Sequence, residues 1–431
     1  LFVLNGKTQE VEILTLEDCL RIGIDNNLSL EGKRKEIQRS KYGVSENRSK
    51  LLPQINAIAG YSNNFDPPVS VTDGSSYGVP YNITQTLQHS ANAGLEMQMP
   101  LFNQTLYTSM SIAKVMEEIS RLSYGKARED VILQISKMYY LGQVTAEQIM
   151  LIKANITRLE ELRDITQAFF DNGMSMEVDL KRVNINLENL KVQYDNAQAM
   201  MKQQLNMLKY IMDYPAEKEI ALTPVNTDSI TTVALTGLSE NIYELQLSQS
   251  QVQLAERQKK IITNGYIPSL SLTGSWRYAA YTDKGYHWFH SGPSNQWFRS
   301  YGVGLTLRIP IFDGLDKTYK IKKAMIDIEN KRLAWEDARK NLQTQYLNAV
   351  NDLMNNQRNF KKQKDNYLLA EDVYAVTSDR YREGIASMTE VLQDEMQMSE
   401  AQNNYISAHY NYRVTNLMLL KLTGQIESLV K

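Results

Sequence analysis

Between Pro100 and Pro215 no proline interrupts the chain, and only three glycines occur, Gly125, Gly142 and Gly173. Proline removes a helical donor and glycine weakens a helix by about 1 kcal/mol, so the span reads as long helix. At about 1.5 Å of rise per residue, the part from Pro100 to Gly173 alone makes a rod on the order of 100 Å long. Helices of ordinary globular domains average about 11–12 residues, so something elongated is being built. From Leu180 the apolar positions step Leu180, Val183, Leu187, Leu190, Tyr194, Ala197, Met201, Leu205, Leu208 and Met212. Alternating threes and fours make a heptad seam. Between the two arms, Phe170-Asp171-Asn172-Gly173-Met174-Ser175 breaks the pattern with an Asn-Gly pair, and glycine supplies the positive φ of a helix C-cap. The chain is expected to fold back there as a helical hairpin.

Upstream, Thr15 is placed to cap a helix that opens a polar amphipathic segment ending at Pro53. Residues 53–62 then alternate polar with apolar or small side chains, Ile58 being out of phase, which is strand periodicity. A loop from Asn64 to Asn82 leads to a second alternating stretch. There Ala91, Ala93, Leu95, Met97 and Met99 share one face, and Ser90, Asn92, Gly94, Glu96 and Gln98 the other. The same order recurs: strands at 268–278 and 301–309 around an aromatic loop (Asp283–Ser294), no proline beyond Pro310, a turn at Tyr381-Arg382-Glu383-Gly384-Ile385-Ala386-Ser387, and a returning helix to about Leu422. Leu52-Pro53 matches Ile267-Pro268, Gly94 to Phe102 matches Gly304 to Phe312, and Gly173 matches Gly384. This is a tandem duplication of helix, β-hairpin and long helical hairpin, expected over residues 1–225 (hairpin 53–99) and 226–431 (hairpin 268–309).

Four strands of about ten residues, each with one apolar and one polar face, suit a membrane barrel with a wet lumen. Four cannot close, because such barrels start at about eight strands and an open edge is not tolerated in hydrocarbon. Several chains must share one barrel. Tyr61, Trp276, Tyr278, Trp288, Trp297 and Tyr301 fit interfacial girdles.

Composition removes other classes. A net charge of -2 and a pI of about 6.2 give no electrostatic footprint for nucleic acid. The single cysteine, Cys19, excludes an intramolecular disulfide and multi-cysteine metal motifs, and reads as a small buried residue rather than a lipid anchor. Mean hydropathy is -0.41 and no run of about 18 apolar residues occurs, so no transmembrane helix is expected. No complete signal peptide is visible, although Leu1-Phe2-Val3-Leu4 fits the trailing edge of one. Phosphate-cradling glycine loops, HExxH and nucleophile elbows are missing, so no enzyme is read and no cofactor is expected. His89, His287, His290 and His409 are scattered, and the His287/His290 spacing has no carboxylate partner, so no metal site is assigned. The 18 methionines read as helix core.

The opening Leu14-Thr15-Leu16-Glu17-Asp18-Cys19-Leu20 with Asn26-Asn27-Leu28-Ser29-Leu30 belongs to a recognisable pattern. So do the strand ends Met99-Pro100-Leu101-Phe102 and Ile309-Pro310-Ile311-Phe312-Asp313-Gly314, and the tips Phe170-Asp171-Asn172-Gly173 and Tyr381-Arg382-Glu383-Gly384. In their order and spacing, over essentially the whole chain, they resemble the TolC-type outer-membrane factors, exit ducts of tripartite efflux and type I secretion systems. The resemblance implies a mixed α/β membrane protein: a homotrimer whose twelve-stranded barrel, four strands from each chain, sits in outer-membrane lipid of a Gram-negative cell. A helical coiled-coil tunnel would extend through the periplasm, with an equatorial layer from residues 1–25, 210–240 and 420–431. It implies passive export of small toxic molecules or polypeptides, and a periplasmic adaptor and an inner-membrane pump as partners. A non-channel coiled-coil scaffold or tether is the alternative, but it has no use for amphipathic barrel strands.

The resemblance also implies that the turns dock the adaptor, through Gly173, Met174, Ser175, Gly384, Ile385, Ala386 and Ser387, and that helices narrow there into a gate. An acid stands six residues beyond each tip glycine, Asp179 and Glu390, followed by Gln393 and Asp394. Glu390 and Gln393 match the family's constricting acid pair, Gln393 departing from it. Tyr381 keeps an aromatic that locks the closed state in some relatives, while Ala386 replaces its basic partner. A ring of carboxylates on a narrow axis attracts cations and resists close approach.

Overall fold

The computed structural model describes residues 11–67, 69–73, 75, 78, 80–85, 87–224, 237–282 and 297–430. In order come β1 (Glu12–Leu14), α1 (Leu16–Asn26), α2 (Leu28–Ser49), β2 (Gln54–Asn63), β3 (Val69–Asp73), β4 (Tyr81–Gln85), β5 (His89–Phe102), α3 (Gln104–Asp171) and α4 (Glu177–Met212). After them come β6 (Ile220–Leu222), α5 (Tyr243–Asn264), β7 (Ser269–Thr282), β8 (Trp297–Arg308), α6 (Asp316–Arg382), α7 (Met388–Leu422) and a 3-10 turn, Ile426–Val430. The long helices are as the proline-free spans require: α3 has 68 residues and α6 has 67. None of the described helices is long and apolar enough to cross a membrane. Two compact units form: one comprises Gln38–Ile119 and Ser250–Arg332, the other the rest of the described chain.

The first unit is built on an antiparallel four-stranded sheet in the order β2-β5-β7-β8, so that β2 and β8 are its edges. β2 is as long as its alternation indicated, and the other three strands are longer by three or four residues. The expected loop 64–82 also differs, for β3 and β4 form a small antiparallel hairpin across it. The loop Asp283–Ser294, with Trp288, His287 and His290, lies outside the described residues. Register aligns like with like. One face carries the rows Ala57–Leu95–Trp276–Tyr301 and Ile55–Met97–Gly274–Val303, and the other Asn56–Glu96–Ser275–Gly302 and Gln54–Gln98–Thr273–Gly304. Because side chains alternate along a strand, Tyr61, Tyr278 and Trp297 also fall on the apolar face. There Trp276 and Tyr278 meet edge to face at 5.4 Å. The out-of-phase Ile58 stands on the polar face opposite Gly94. On that face Arg277 reaches Glu96 at 2.6 Å.

The second unit packs helix on helix. Thr15 caps α1 through a capping box with Asp18, and Asn27 serves two helix ends: its Nδ2 donates to the Ile211 carbonyl at 2.7 Å and its Oδ1 accepts from the Leu30 amide at 3.1 Å. Cys19, Leu20 and Ile24 of α1 join Ile132, Ile135 and Tyr139 of α3 and Leu208 and Met212 of α4 in the largest buried cluster. Beside it β1 runs parallel to β6, and Tyr139 and Gln143 tie α3 to Thr223. Of the heptad seam on α4, Val183, Leu187, Leu190, Ala197, Leu208 and Met212 are buried.

Two substitutions test these contacts. A Cβ on Gly94 would lie 2.3 Å from the Trp276 carbonyl oxygen and 2.8 Å from the Arg277 Cα, both backbone, whereas one on Gly60 would meet only the Asn92 side-chain amide at 3.3 Å. Gly94→Ala should therefore push β5 from β7 and cost about 1–3 kcal/mol, reducing the yield of assembled protein in membranes, with Gly60→Ala assembling normally. Glu129, 4% exposed on α3, has its carboxyl pushed up to about 7 by burial, opposed by Lys421 and reinforced by Glu427 and Asp130. A carboxyl raised in the folded state stabilises fully below its unfolded value, about 4.5, and loses that contribution as pH climbs toward 7. Glu129→Gln should accordingly raise the melting temperature at about pH 8 and change it far less at about pH 5.

Candidate functional site at the hairpin tips

Both tips are built alike. In each, a glycine with φ +75° ends the first helix, its amide bonding three residues back and the next amide five residues back. The bonds are Gly173 to Phe170 at 2.9 Å with Met174 to Phe169 at 2.8 Å, and Gly384 to Tyr381 at 2.9 Å with Ile385 to Arg380 at 2.8 Å. This double closure satisfies helix-terminal carbonyls and needs a residue at home in left-handed backbone. Met174, Met176 and Ile385 stand exposed beyond the glycines.

The two returning helices begin differently. At α7, Ser387 is the N-cap and Glu390 completes a capping box, its Oε2 accepting from the Ser387 amide at 3.1 Å. At α4 the N-cap is Met176, which has no side-chain cap. Asp179, the counterpart of Glu390, instead pairs with Arg182 one turn on, at 3.4 Å, with its side chain 19% exposed. The same Arg182 Nη1 donates to Thr389 Oγ1 at 3.3 Å, joining the start of α4 to the start of α7. Lys181, also in this turn, hydrogen-bonds Glu177 at 2.8 Å and holds that carboxyl below the usual range.

Of the residues singled out in the sequence, Glu390 and Gln393 are exposed, Asp394 half-buried, and Gln393 lines a mainly apolar groove with Arg182, Ile185, Asn186, Thr389, Leu392 and Met396. Tyr381 does not point outward. It is 6% exposed, its ring 5.6 Å from Phe169 and its hydroxyl 3.2 Å from Thr166 Oγ1, inside a cluster with Leu159, Leu162, Val183 and Val391. Ala386, expected on the exposed tip, differs: at 9% exposure its methyl belongs to the same cluster, because the turn that exposes Ile385 tucks the next side chain inward. Gly173, Met174 and Gly384 are exposed, Ser175 half-buried. Sequence reasoning missed Arg182, Thr389 and Thr166. The Asp179/Arg182 spacing of one helical turn was a signal for the ion pair, but nothing local announced the reach to Thr389.

Among the described residues, no group of three His, Cys, Asp or Glu side chains is arranged to hold a metal ion. The site is thus a pair of glycine-closed helical turns with acids and one arginine at the start of the returning helices.

Known proteins resemble the chain in sequence and in fold. The chain is 21% identical to the outer membrane protein TolC of Vibrio cholerae over 399 residues, 89% of this chain and 84% of that one. Among solved structures it superposes on the outer membrane protein VceC of Vibrio cholerae with a TM-score of 0.75 and 14% identity, covering 95% of this chain and 96% of that one. On the CusC channel the TM-score is 0.78 with 16% identity, covering 95% and 91%. The family model for outer membrane efflux proteins matches twice, at residues 22–212 and 234–425, one match for each half of the duplication. Repeat order, sheet, tips and this double match together make the chain a member of the outer membrane efflux protein family.

Proposed function

We propose that the chain is one protomer of a trimeric, passive exit duct through the outer membrane. The observation that carries this reading is the open four-stranded sheet: one face is apolar throughout its central rows, and the edges β2 and β8 have no partner among the described residues. Side chains such as Ile55, Tyr301, Val303, Leu305 and Leu307 are largely exposed in the single chain. Lipid would cover that face, and further copies would pair the edges, three of them closing a barrel well above the minimum of about eight strands. Two helices carry matching stripes. Val178, Ile185, Val192, Met200 and Met207 on α4 recur at about one heptad, Leu347, Met354, Leu368 and Val376 on α6 at about one or two heptads, and all are exposed. A neighbouring copy is the occupant they fit. Segments 11–25, 210–224 and 420–430 then form the equatorial layer, and the tips meet a periplasmic adaptor that delivers cargo from an inner-membrane pump. A soluble tether leaves the apolar sheet face unexplained.

Extraction and conductance test the reading together. The protein should leave membranes only with detergent, run as a trimer, and form channels in planar bilayers; a monomer soluble without detergent would contradict it. Replacing either tip glycine by valine forces a β-branched residue into left-handed backbone at about 1–2 kcal/mol, and Gly173→Val or Gly384→Val should abolish export in cells while leaving the trimer yield unchanged.

Gating by the tip acids is the second part of the proposal. Glu390, with Gln393 and Asp394 beyond it, lines the constriction, and Asp179 contributes less because Arg182 neutralises it. Glu390→Gln keeps the helix cap but removes the charge, so it should lower cation preference in single-channel recordings. Arg182→Gln should raise it by freeing Asp179. Unchanged selectivity in both variants would place these side chains off the conduction path.

A further inference from the structure

The buried seam of α7 carries a polar residue at every seventh position: Glu395, Gln402 and His409, at 5%, 4% and 0% exposure. A buried polar group without a partner is destabilising, so each such rung demands an answer from the facing helix. Two are answered by α3. Asn155 donates to Gln402 Oε1 at 2.7 Å and accepts in return. Arg413 Nε donates to His409 Nε2 at 2.9 Å, which leaves Nδ1 as the proton-bearing nitrogen, and it faces Glu147 Oε2 at 3.3 Å. Tyr405 donates to the other oxygen of Glu147.

The third rung is unanswered. Glu395 Oε1 is buried with no hydrogen-bond partner. Arg158 of α3 is the cation acting on it, yet that guanidinium is committed elsewhere, Nη1 to Glu371 of α6 at 3.1 Å and Nη2 to Asn155, and its buried Nε also lacks a partner. From α6 the buried Tyr374 faces the same carboxyl, itself influenced by Arg382. α4 brings Val183, Leu187 and Leu190 to the surrounding cluster. A neutral carboxyl is tolerated in such a place far better than a carboxylate.

We propose that Glu395 is a proton-operated latch of the hairpin tips: while its carboxyl is neutral α7 stays packed on α3, α4 and α6, and loss of the proton to water loosens α7 beside Glu390, Gln393 and Asp394. The link to gating rests on the export-duct reading, the link to packing does not. Burial pushes this carboxyl above the usual range and Arg158 opposes the rise. The packing contribution is therefore complete below the ordinary glutamate value and is lost as pH rises through the elevated one.

The test uses the full-length assembled protein between about pH 5 and pH 9, following hydrogen exchange of the α7 amides from Met388 to Met398, corrected for intrinsic rates, together with spontaneous opening in planar bilayers. In the wild type, protection should fall about tenfold with rising pH and opening should become more frequent. Glu395→Gln, and Glu395→Met as an apolar control of similar length, should hold the low-pH level throughout. A pH dependence that survives both substitutions, or none in the wild type, overturns the latch. Should no variant conduct at all, the duct reading fails, while the exchange data still decide whether Glu395 governs the packing of α7.

Discussion

A backbone N–H or C=O facing hydrocarbon must be hydrogen-bonded, and a four-stranded sheet does not meet that demand alone. The sheet has four strands, an apolar face and two edges that have no partner among the described residues. In water such an edge invites aggregation, and in lipid it is prohibitive. In the proposed duct, identical neighbours would resolve both problems at once, because a closed ring of copies leaves no edge. Duplication of the chain fits the same requirement: each half supplies one pair of strands to the sheet and one helical hairpin, and β5 pairing with β7 joins the halves into one continuous sheet.

The two halves diverge at their tips. Their tips share the same glycine geometry to the tenth of an ångström in the closing hydrogen bonds. Past the glycines they part, because Ser387 allows Glu390 to close a cap whereas Met176 cannot, and Asp179 is left for Arg182. Arg182 occupies the place in the first half that Gln393 holds in the second, nine residues past its glycine. A neutral side chain at Gln393 and a cation at Arg182 both limit the negative charge gathered at the tips. The arginine also binds Thr389, so the first half restrains the start of α7 in the second. Further along α7 the polar rungs at Gln402 and His409 fix its register on α3, in the manner of buried polar residues in coiled coils.

Much of this was legible because it is periodic or punctuated. Strand faces came from alternation, down to the misfit of Ile58, and the Thr15 cap and the glycine turns came from residues whose backbone chemistry is local. Long-range side-chain pairing was not legible. Tyr381 bonds Thr166 more than two hundred residues away, and the identity of its partner depends on how two hairpins are brought together, which no short pattern encodes. The short strands β3 and β4 were hidden for another reason: glycine and proline around them read as loop, and five residues are too few for alternation to stand out. Ala386 was misplaced because a methyl group gives no clue to whether a turn points it in or out.

The most direct measurement is disulfide trapping between copies along the two bare edges. A cysteine on the polar face of β2, at Asn56, is combined in the same chain with one at Gly302, Gly304 or Thr306 of β8, and the protein is oxidised in native membranes. Cα atoms must lie within about 4.4–6.8 Å for the bond to form, so only neighbouring paired strands will link. Edge closure by three copies predicts that one register of β8 gives a ladder ending at the covalent trimer. No intermolecular product at any register, or a ladder that continues past three chains, would contradict it.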